Sequence, residues 1–313
     1  INFEELWHLS FIKKVFVYLK KQRIFKKKLT DILMKLRPDI TVSLLRREIN
    51  FLTSIKDGSK KVGEIHVNKA NYRNFESNNT NIIKDYFAKW WMNMLIKKVK
   101  KLDRFVVLTH EDKEKWHEIG RTEVIPNPIP HLSPTIGNLE NKQVIAVGRY
   151  AYQKGFDLLI EAWKLVIEKH PDWTLNIYGS GERKAFQEQI IRLGIEKNCI
   201  LNGPTSNINE KYAESSILAF SSRFEGFGMV LLEAMNCGIP CVSFACPCGP
   251  KDIISDSING YLVEPNNIEA LAERICYLIE NEEVRKEMGK AARKRAEDFT
   301  EEKIMKQWVD LFE

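Results

Sequence analysis

No stretch of this chain is both long and apolar. The longest uncharged run, Ala234 to Pro250, holds three prolines, and proline at that density excludes a membrane-spanning helix. Zinc-ligand spacing is missing as well. The six cysteines fit no template, and Cys246-Pro247-Cys248 has no second pair. Small apolar neighbours flank most of them, so they read as buried, reduced thiols, which favours the cytoplasm. No secretory signal is visible. No Asp-x-Asp pair lies at the end of a predicted strand, so no metal and no separate cofactor are expected. With 11 Pro and 16 Gly in 313 residues, low-complexity and collagen-like chains are excluded. No internal repeat is evident. The first residue is Ile rather than Met, and the chain reads as a piece of something longer.

What is present is ordinary for a globular protein, with 44% hydrophobic and 29% charged residues and a length that suits two domains. Charge is divided unevenly. Residues 1–137 carry 27 Lys+Arg against 15 Asp+Glu, a net of +12, whereas residues 138–313 carry 21 against 27, a net of −6. Opposite signs imply two domains with different partners. Ile12 to Lys28 and Trp90 to Lys101 mix Lys with aromatic and aliphatic residues at near-helical spacing. Such stretches suit an anionic membrane surface. The plainer reading is a pair of amphipathic helices with solvated lysine faces. Nucleic acid is not expected, because no recognition motif accompanies the charge. Oligomeric state is not legible.

Four of the eleven prolines fall between Pro126 and Pro134, which marks an interdomain linker. The spacing predicts an N-terminal domain over 1–137, a second domain over 138–300, and a final amphipathic helix over 301–313 that returns to the first domain. Strands are predicted at Asp39–Leu44, Lys61–Val67, Arg104–Thr109 and Glu123–Ile125. In the second domain they are predicted at Gln143–Val147, Thr174–Tyr178, Ile200–Asn202, Ile217–Ser221, Pro240–Phe244 and Tyr261–Val263. Helical patterns separate the latter at Phe156–His170, Glu182–Leu193, Asn209–Glu214, Gly228–Cys237 and Ile268–Glu280. Alternating β and α with apolar strands means parallel sheets covered by helices on both faces. The expected fold class is therefore α/β, with two doubly wound, Rossmann-like domains facing across a cleft.

Ligands of such sheets bind beyond the carboxyl ends of the strands. Three segments lie there. In Val147 to Gly155, Gly148 lets the chain turn, and Arg149 and Lys154 follow five residues apart, a pair suited to a diphosphate or simply to solvent. Ile177 to Glu182 runs a strand through Gly179 into a Gly-Ser-Gly turn, which a plain strand-to-helix turn explains equally well. Ser222 to Pro240 carries the most information. Gly226 and Gly228 open a helix whose first N–H groups, at Gly228, Met229 and Val230, form a ready anion site. Glu225 precedes that site and Glu233 lies inside the helix, so two carboxylates bracket a bound phosphate. That arrangement fits a ligand with neutral hydroxyls on both flanks, such as a nucleotide sugar. Otherwise Glu225 is a loop surface charge and Glu233 a helix-face charge, though Glu233 sits among apolar neighbours.

These residues, with VGRYAYQKGFDLLIEAW, IYGSGE, FEGFGMVLLEAMNCGIPCV and NGYLVEPNNIEALAERI around them, resemble the retaining glycosyltransferases of family 4, which have the GT-B fold. CPCGPKDII resembles a subgroup that builds surface and capsular polysaccharides, although Ala245 stands where that subgroup has Asp. The resemblance covers 141–300 and is looser before it. It implies that Arg149 and Lys154 bind the donor diphosphate, Glu233 the ribose hydroxyls and Glu225 the transferred sugar. The N–H groups of Gly228, Met229 and Val230 would meet the phosphate, with Gly148, Gly179, Gly203 and Pro204 around the nucleotide. His66, after a first-domain strand, would reach the donor sugar; the alternative is a lone structural histidine. The implied activity is transfer of a hexose or N-acetylhexosamine from a UDP-sugar to a glycan or lipid-linked acceptor, at the inner membrane face. The family's opening strand and Gly-rich loop have no counterpart in residues 1–35, so a truncated first domain is expected. Two rivals remain: a nucleotide-sugar epimerase of the same fold, and a non-catalytic fragment that only holds the nucleotide sugar.

Overall fold

The computed structural model describes residues 3–72 and 82–313. The chain divides into two compact units. One comprises Ile1–Val107, Lys113–Val124 and Phe312, and the other Leu108–Asp112, Ile125–Leu311 and Glu313.

The first unit opens with the long helix α1, Phe11–Leu36. Its C-terminal half repeats apolar residues four apart. Phe25, Leu29 and Leu33 therefore share a face and pack with Phe51, Leu52 and Ile55. Four strands follow: β1 (Ile40–Ser43), β2 (Lys60–Glu64), β3 (Arg104–Val107) and β4 (Thr122–Val124). They pair in that order and all in parallel. Helix α2, Ile82–Val99, precedes β3, and α3, His110–Lys115, follows it. Leu95 and Val99 of α2 join Leu45, Ile65, Phe105 and Trp116 in the core. The expected strand at Lys61–Val67 is shorter than predicted, because the ladder ends at Glu64. His66 therefore stands in the loop beyond it.

The second unit is a six-stranded parallel sheet. Its strands are β5 (Gln143–Val147), β6 (Thr174–Tyr178), β7 (Cys199–Asn202), β8 (Ile217–Phe220), β9 (Cys241–Phe244) and β10 (Gly260–Val263), in the spatial order β10-β9-β8-β5-β6-β7. Strands such as ILAF and CVSF are buried at every residue, as a sheet covered on both sides requires. The helices are α4 (Phe156–Lys169), α5 (Lys184–Leu193), α6 (Ile208–Ala213), α7 (Met229–Asn236), α8 (Pro250–Ile253), α9 (Ile268–Glu280), α10 (Glu282–Ala296) and α11 (Glu301–Phe312). The six cysteines are all free and buried in this unit.

Two features depart from the sequence expectations. The proline-rich segment groups with the second unit rather than lying between units. Ile129 N donates to Phe299 O at 2.8 Å, and Arg293 Nη2 donates to Ser133 O at 3.0 Å. Helix α10 was not anticipated. EEVRKEMGKAARKRA lacks a stripe of large apolar residues, and its buried face is built from Met288, Gly289, Ala292 and Ala296. Small residues there let α10 approach closely: a Cβ on Gly289 would lie 2.5 Å from Gly238 O.

Arg285 of α10 is buried at 3% exposure. Its guanidinium donates to the carbonyls of Leu139, Leu278 and Ile279 at 2.5 to 3.1 Å and sits over the Trp173 ring. Replacing it leaves these acceptors buried without a donor. Arg285→Leu should destabilise the fold by about 3 kcal/mol or more; a melting curve indistinguishable from the parent would contradict this account.

Candidate active site

Strand β5 is flanked by β8 on one side and β6 on the other, so the order of the chain reverses between β5 and β8. At such a reversal, ligands of open α/β sheets bind beyond the carboxyl ends of the strands. The loop after β5 carries Gly148, Arg149 and Lys154. The loop after β8 carries Ser221 to Gly228.

The two loops are bound together along their length. Gly155 has φ +61°, and a Cβ there would lie 2.1 Å from Ser221 O, so only glycine allows the contact. Ser221 Oγ donates to Lys154 O at 2.9 Å, Arg223 N to Gln153 O at 2.8 Å, and Gln153 Nε2 to Phe224 O at 3.0 Å. Arg223 then forks onto the Asp157 carboxylate at 2.9 and 2.6 Å. The outcome is one contact. Lys154 Nζ donates to Glu225 Oε1 at 2.7 Å, with the side chains only 15% and 9% exposed. Glu225 is thus no loop surface charge. Gly148 gives the Lys154 stem its clearance, since a Cβ there would press on it at 3.1 Å.

A second prop comes from beneath. Glu225 N donates to Pro247 O at 3.1 Å. Gly249, at φ +119°, lets the Phe227 carbonyl approach so closely that a Cβ would fall 1.8 Å from it. The CPCGP stretch is therefore a backbone support for the loop before α7. Cys248 N in turn donates to Glu111 Oε2 at 2.9 Å. Gly228, at φ +97°, takes the N-cap position of α7, and no side chain caps that end. One turn into α7, Glu233 Oε2 accepts a 2.9 Å hydrogen bond from Tyr212 Oη. Burial first, and then the Glu233 carboxylate, push the Tyr212 hydroxyl well above its ordinary range, so it remains a donor.

The structure thus joins Lys154 to Glu225 beyond the carboxyl ends of β5 and β8, with Gly148 against the Lys154 stem and Gly228, Met229 and Val230 opening the helix that follows Glu225. Arg149 is exposed on the same loop and makes no hydrogen bond or ion pair among the described residues. Gly179 sits beside Gly148: a Cβ on it would lie 1.7 Å from Gly148 O, so strand-end packing alone demands glycine. Gly203 and Pro204 follow β7, the outermost strand on that side, two strands from β5. They are not brought to the Lys154–Glu225 pair. His66 belongs to the first unit, with Nε2 3.0 Å from Glu64 Oε1. Sequence reasoning missed Tyr212, Asp157, Gln153 and Arg223. Of these only Arg223, next to the Glu225 motif, had a local signal. Among the described residues no cluster of three or more His, Cys, Asp or Glu could hold a metal.

A parallel α/β sheet with cations and a glycine-capped helix at its switch point defines a doubly wound α/β unit. The comparisons make this specific. Residues 134–295, just over half of the chain, match the family described as Glycosyl transferases group 1, and the chain belongs to that family. It is similar to an uncharacterized glycosyltransferase of Haemophilus influenzae, at 36% identity over 214 residues, 67% of this chain and 61% of that protein. It is also similar to the amylovoran biosynthesis glycosyltransferase AmsD of Erwinia amylovora, at 34% over 220 residues, 67% of this chain and 62% of that one. The chain therefore spans about three fifths of the length of these relatives. Among solved structures it resembles a mutant of TarM from S. aureus in complex with fondaparinux, alpha-GlcNAc-glycerol and UDP. The TM-score is 0.74 and the identity 28%, over 90% of this chain and 58% of that one. The fold is that of the GT-B glycosyltransferases, and the chain is of an enzyme family.

The Arg223–Asp157 fork gives a pH signature. Burial opposes ionisation of Asp157, but the Arg223 guanidinium outweighs it and holds the carboxyl below its usual range. A depressed folded-state pKa stabilises above the unfolded value, near 4, and that contribution is lost as pH falls through the folded value. Asp157→Asn should therefore melt lower than the parent at neutral pH. The gap should close as the medium is acidified below about pH 4. A gap that stayed constant with pH would contradict the assignment.

Proposed function

We propose that this chain transfers a hexose or N-acetylhexosamine from a UDP-sugar to a glycan or lipid-linked acceptor, with retention of configuration. The observation that carries the proposal is the Lys154–Glu225 pair, held across the switch point beside the glycine-capped start of α7. The UDP in the TarM complex and the polysaccharide named for AmsD support donor and acceptor class. Retention, membership of family 4 and the surface-polysaccharide subgroup rest on the motifs around Glu225 and Glu233.

In this reading the bond from the sugar's anomeric carbon to the diphosphate breaks, and its electron pair passes to the phosphate oxygen. The acceptor hydroxyl oxygen bonds to the same carbon on the same face, and its proton passes to the departing phosphate. Charge grows on the diphosphate as this happens. Arg149, Lys154 and the N–H groups of Gly228, Met229 and Val230 oppose it, and such fixed dipoles and cations are commonly the largest catalytic effect. Glu225 neutralises much of the Lys154 charge before the donor arrives and holds its ammonium in place, while facing the sugar itself. Glu233, aligned by Tyr212, takes the ribose hydroxyls. Gly148 and Gly179 give the nucleotide backbone clearance, Gly203 and Pro204 lie at its outer side, and His66 meets the transferred sugar. No metal is required, because cations and helix dipole carry the diphosphate. We place the enzyme in the cytoplasm, at the membrane's inner face. The support is the N-terminal half of α1, where Ile12, Val15, Phe16 and Leu19 lie exposed beside Lys13, Lys14 and Lys20.

Four measurements test this. In a thermal-shift panel of UDP-, GDP- and ADP-sugars, the UDP-sugars should raise the melting point, since a ligand of the folded state stabilises it by mass action. Arg149→Ala, an exposed position, should leave the melting point unchanged and lower turnover roughly a hundredfold; unchanged turnover in both Arg149→Ala and Lys154→Ala would remove the assignment. Transfer should survive chelation by EDTA. Interconversion of free sugar nucleotide would instead favour an epimerase, and donor binding without transfer a non-catalytic chain. For the membrane contact, the protein should sediment with phosphatidylglycerol vesicles and lose that affinity in Ile12→Glu/Phe16→Glu. Equal sedimentation of parent and variant would exclude α1 as the anchor.

A further inference from the structure

The first unit holds a cavity of its own, of about 660 Å³, at the carboxyl ends of β1 and β2. Its wall includes Tyr18, Leu45, Arg46, Arg47, His66 and Tyr72. The loop after β1 is held in a sparsely populated conformation. Leu45, fully buried, has φ +52°, a region that side chains seldom adopt and that surrounding structure must enforce. Two contacts enforce it: Leu45 N donates to Ser43 Oγ at 3.1 Å, and Tyr72 Oη donates to Leu45 O. The bend brings two adjacent arginines to one rim. Arg46 is exposed, and Arg47 is half-buried with its guanidinium 4.0 Å from the centre of the Phe3 ring.

Neither guanidinium has a carboxylate partner among the described residues. The adjacent acid does not supply one. Glu48 Oε1 instead accepts from Ser43 Oγ at 2.8 Å and from the backbone N–H of Arg46 at 3.0 Å, fixing the loop. Glu64, the acid nearest on β2, lies against His66. A cavity walled by two tyrosines and rimmed by two unneutralised guanidiniums suits a sugar ring that carries an anion.

We propose that this cavity selects an anionic acceptor, a glycan bearing a phosphate or uronate group that Arg46 and Arg47 grip. The proposal rests on the transfer reading above, in which His66 of the same wall meets the transferred sugar. Arg47, stacked on Phe3, is the preorganised fork, and Arg46 the exposed second cation.

The test is calorimetric titration of the intact chain, without donor, with three oligosaccharides of equal length: one phosphorylated, one carrying uronate, one neutral. At least one anionic oligosaccharide should bind about tenfold more tightly than the neutral one. That preference should weaken on raising salt. It should fall about tenfold in Arg46→Gln and also in Arg47→Lys, which keeps the charge and loses the fork. The melting-point rise produced by UDP-sugar in Arg46→Gln should equal the parent's, which shows an intact second unit, and the melting point without ligand should equal the parent's, which shows an intact first unit. The phosphate and uronate arms identify which anion is read. Equal affinity for neutral and anionic glycans overturns the proposal, as does a preference that survives Arg46→Gln/Arg47→Gln. Anion preference without any UDP-sugar response supports the cavity's assignment and counts against nucleotide-sugar transfer.

Discussion

The second unit is organised around the 2.7 Å contact between Lys154 and Glu225. An ion pair this shielded is costly to form, because both charges leave water, and it persists only when geometry is fixed by other groups. Here those groups are backbone ones. The carbonyls of Tyr152, Gln153, Lys154 and Phe224 all accept from the opposite loop, and Gly155 admits the Ser221 carbonyl at a distance no other residue would tolerate. The loops are thus held together by contacts other than the ion pair itself. Removing one charge strands the other in a poorly solvated place, at a cost of about 3–5 kcal/mol in comparable buried pairs. This is why Arg149, exposed on the same loop, is the cleaner probe of the diphosphate site proposed above.

Much of this site could be read from the sequence because glycine and charge stand close together in the chain. Gly148, Arg149 and Lys154 follow a β-branched run, and Glu225, Gly226 and Gly228 follow another, so strand ends and helix starts were legible locally. The reach between them was not. Arg223 and Asp157 are 66 residues apart, and Tyr212 meets Glu233 across 21. No spacing rule links such pairs; only the sheet order does. Helix α10 was invisible for a different reason. Apart from Arg285 and Met288 its buried face is alanine and glycine, which carry almost no hydrophobic signal, and Gly289 packs closely against Gly238.

The proline run illustrates a limit of composition. Stiffness at Pro126 to Pro134 reads as a spacer, but Ile129 is 1% exposed and pairs its N–H with Phe299, so the segment is part of the second unit's wall. In the first unit the signal was weaker throughout, with short strands and a helix whose two halves behave differently. Phe25, Leu29 and Leu33 in one half pack, and Ile12, Val15, Phe16 and Leu19 in the other lie exposed.

The six cysteines of the second unit have a practical consequence. All six are buried, and burial pushes the thiols of Cys199, Cys237, Cys241, Cys246 and Cys276 up, Cys199 to about 12, so at neutral pH these five carry almost none of the reactive thiolate. They are, in effect, hydrocarbon with a heavy atom. A single cysteine introduced on the surface, at Asn138 for instance, would then take up a fluorophore or spin label selectively, with no need to strip the native sulfurs from the core.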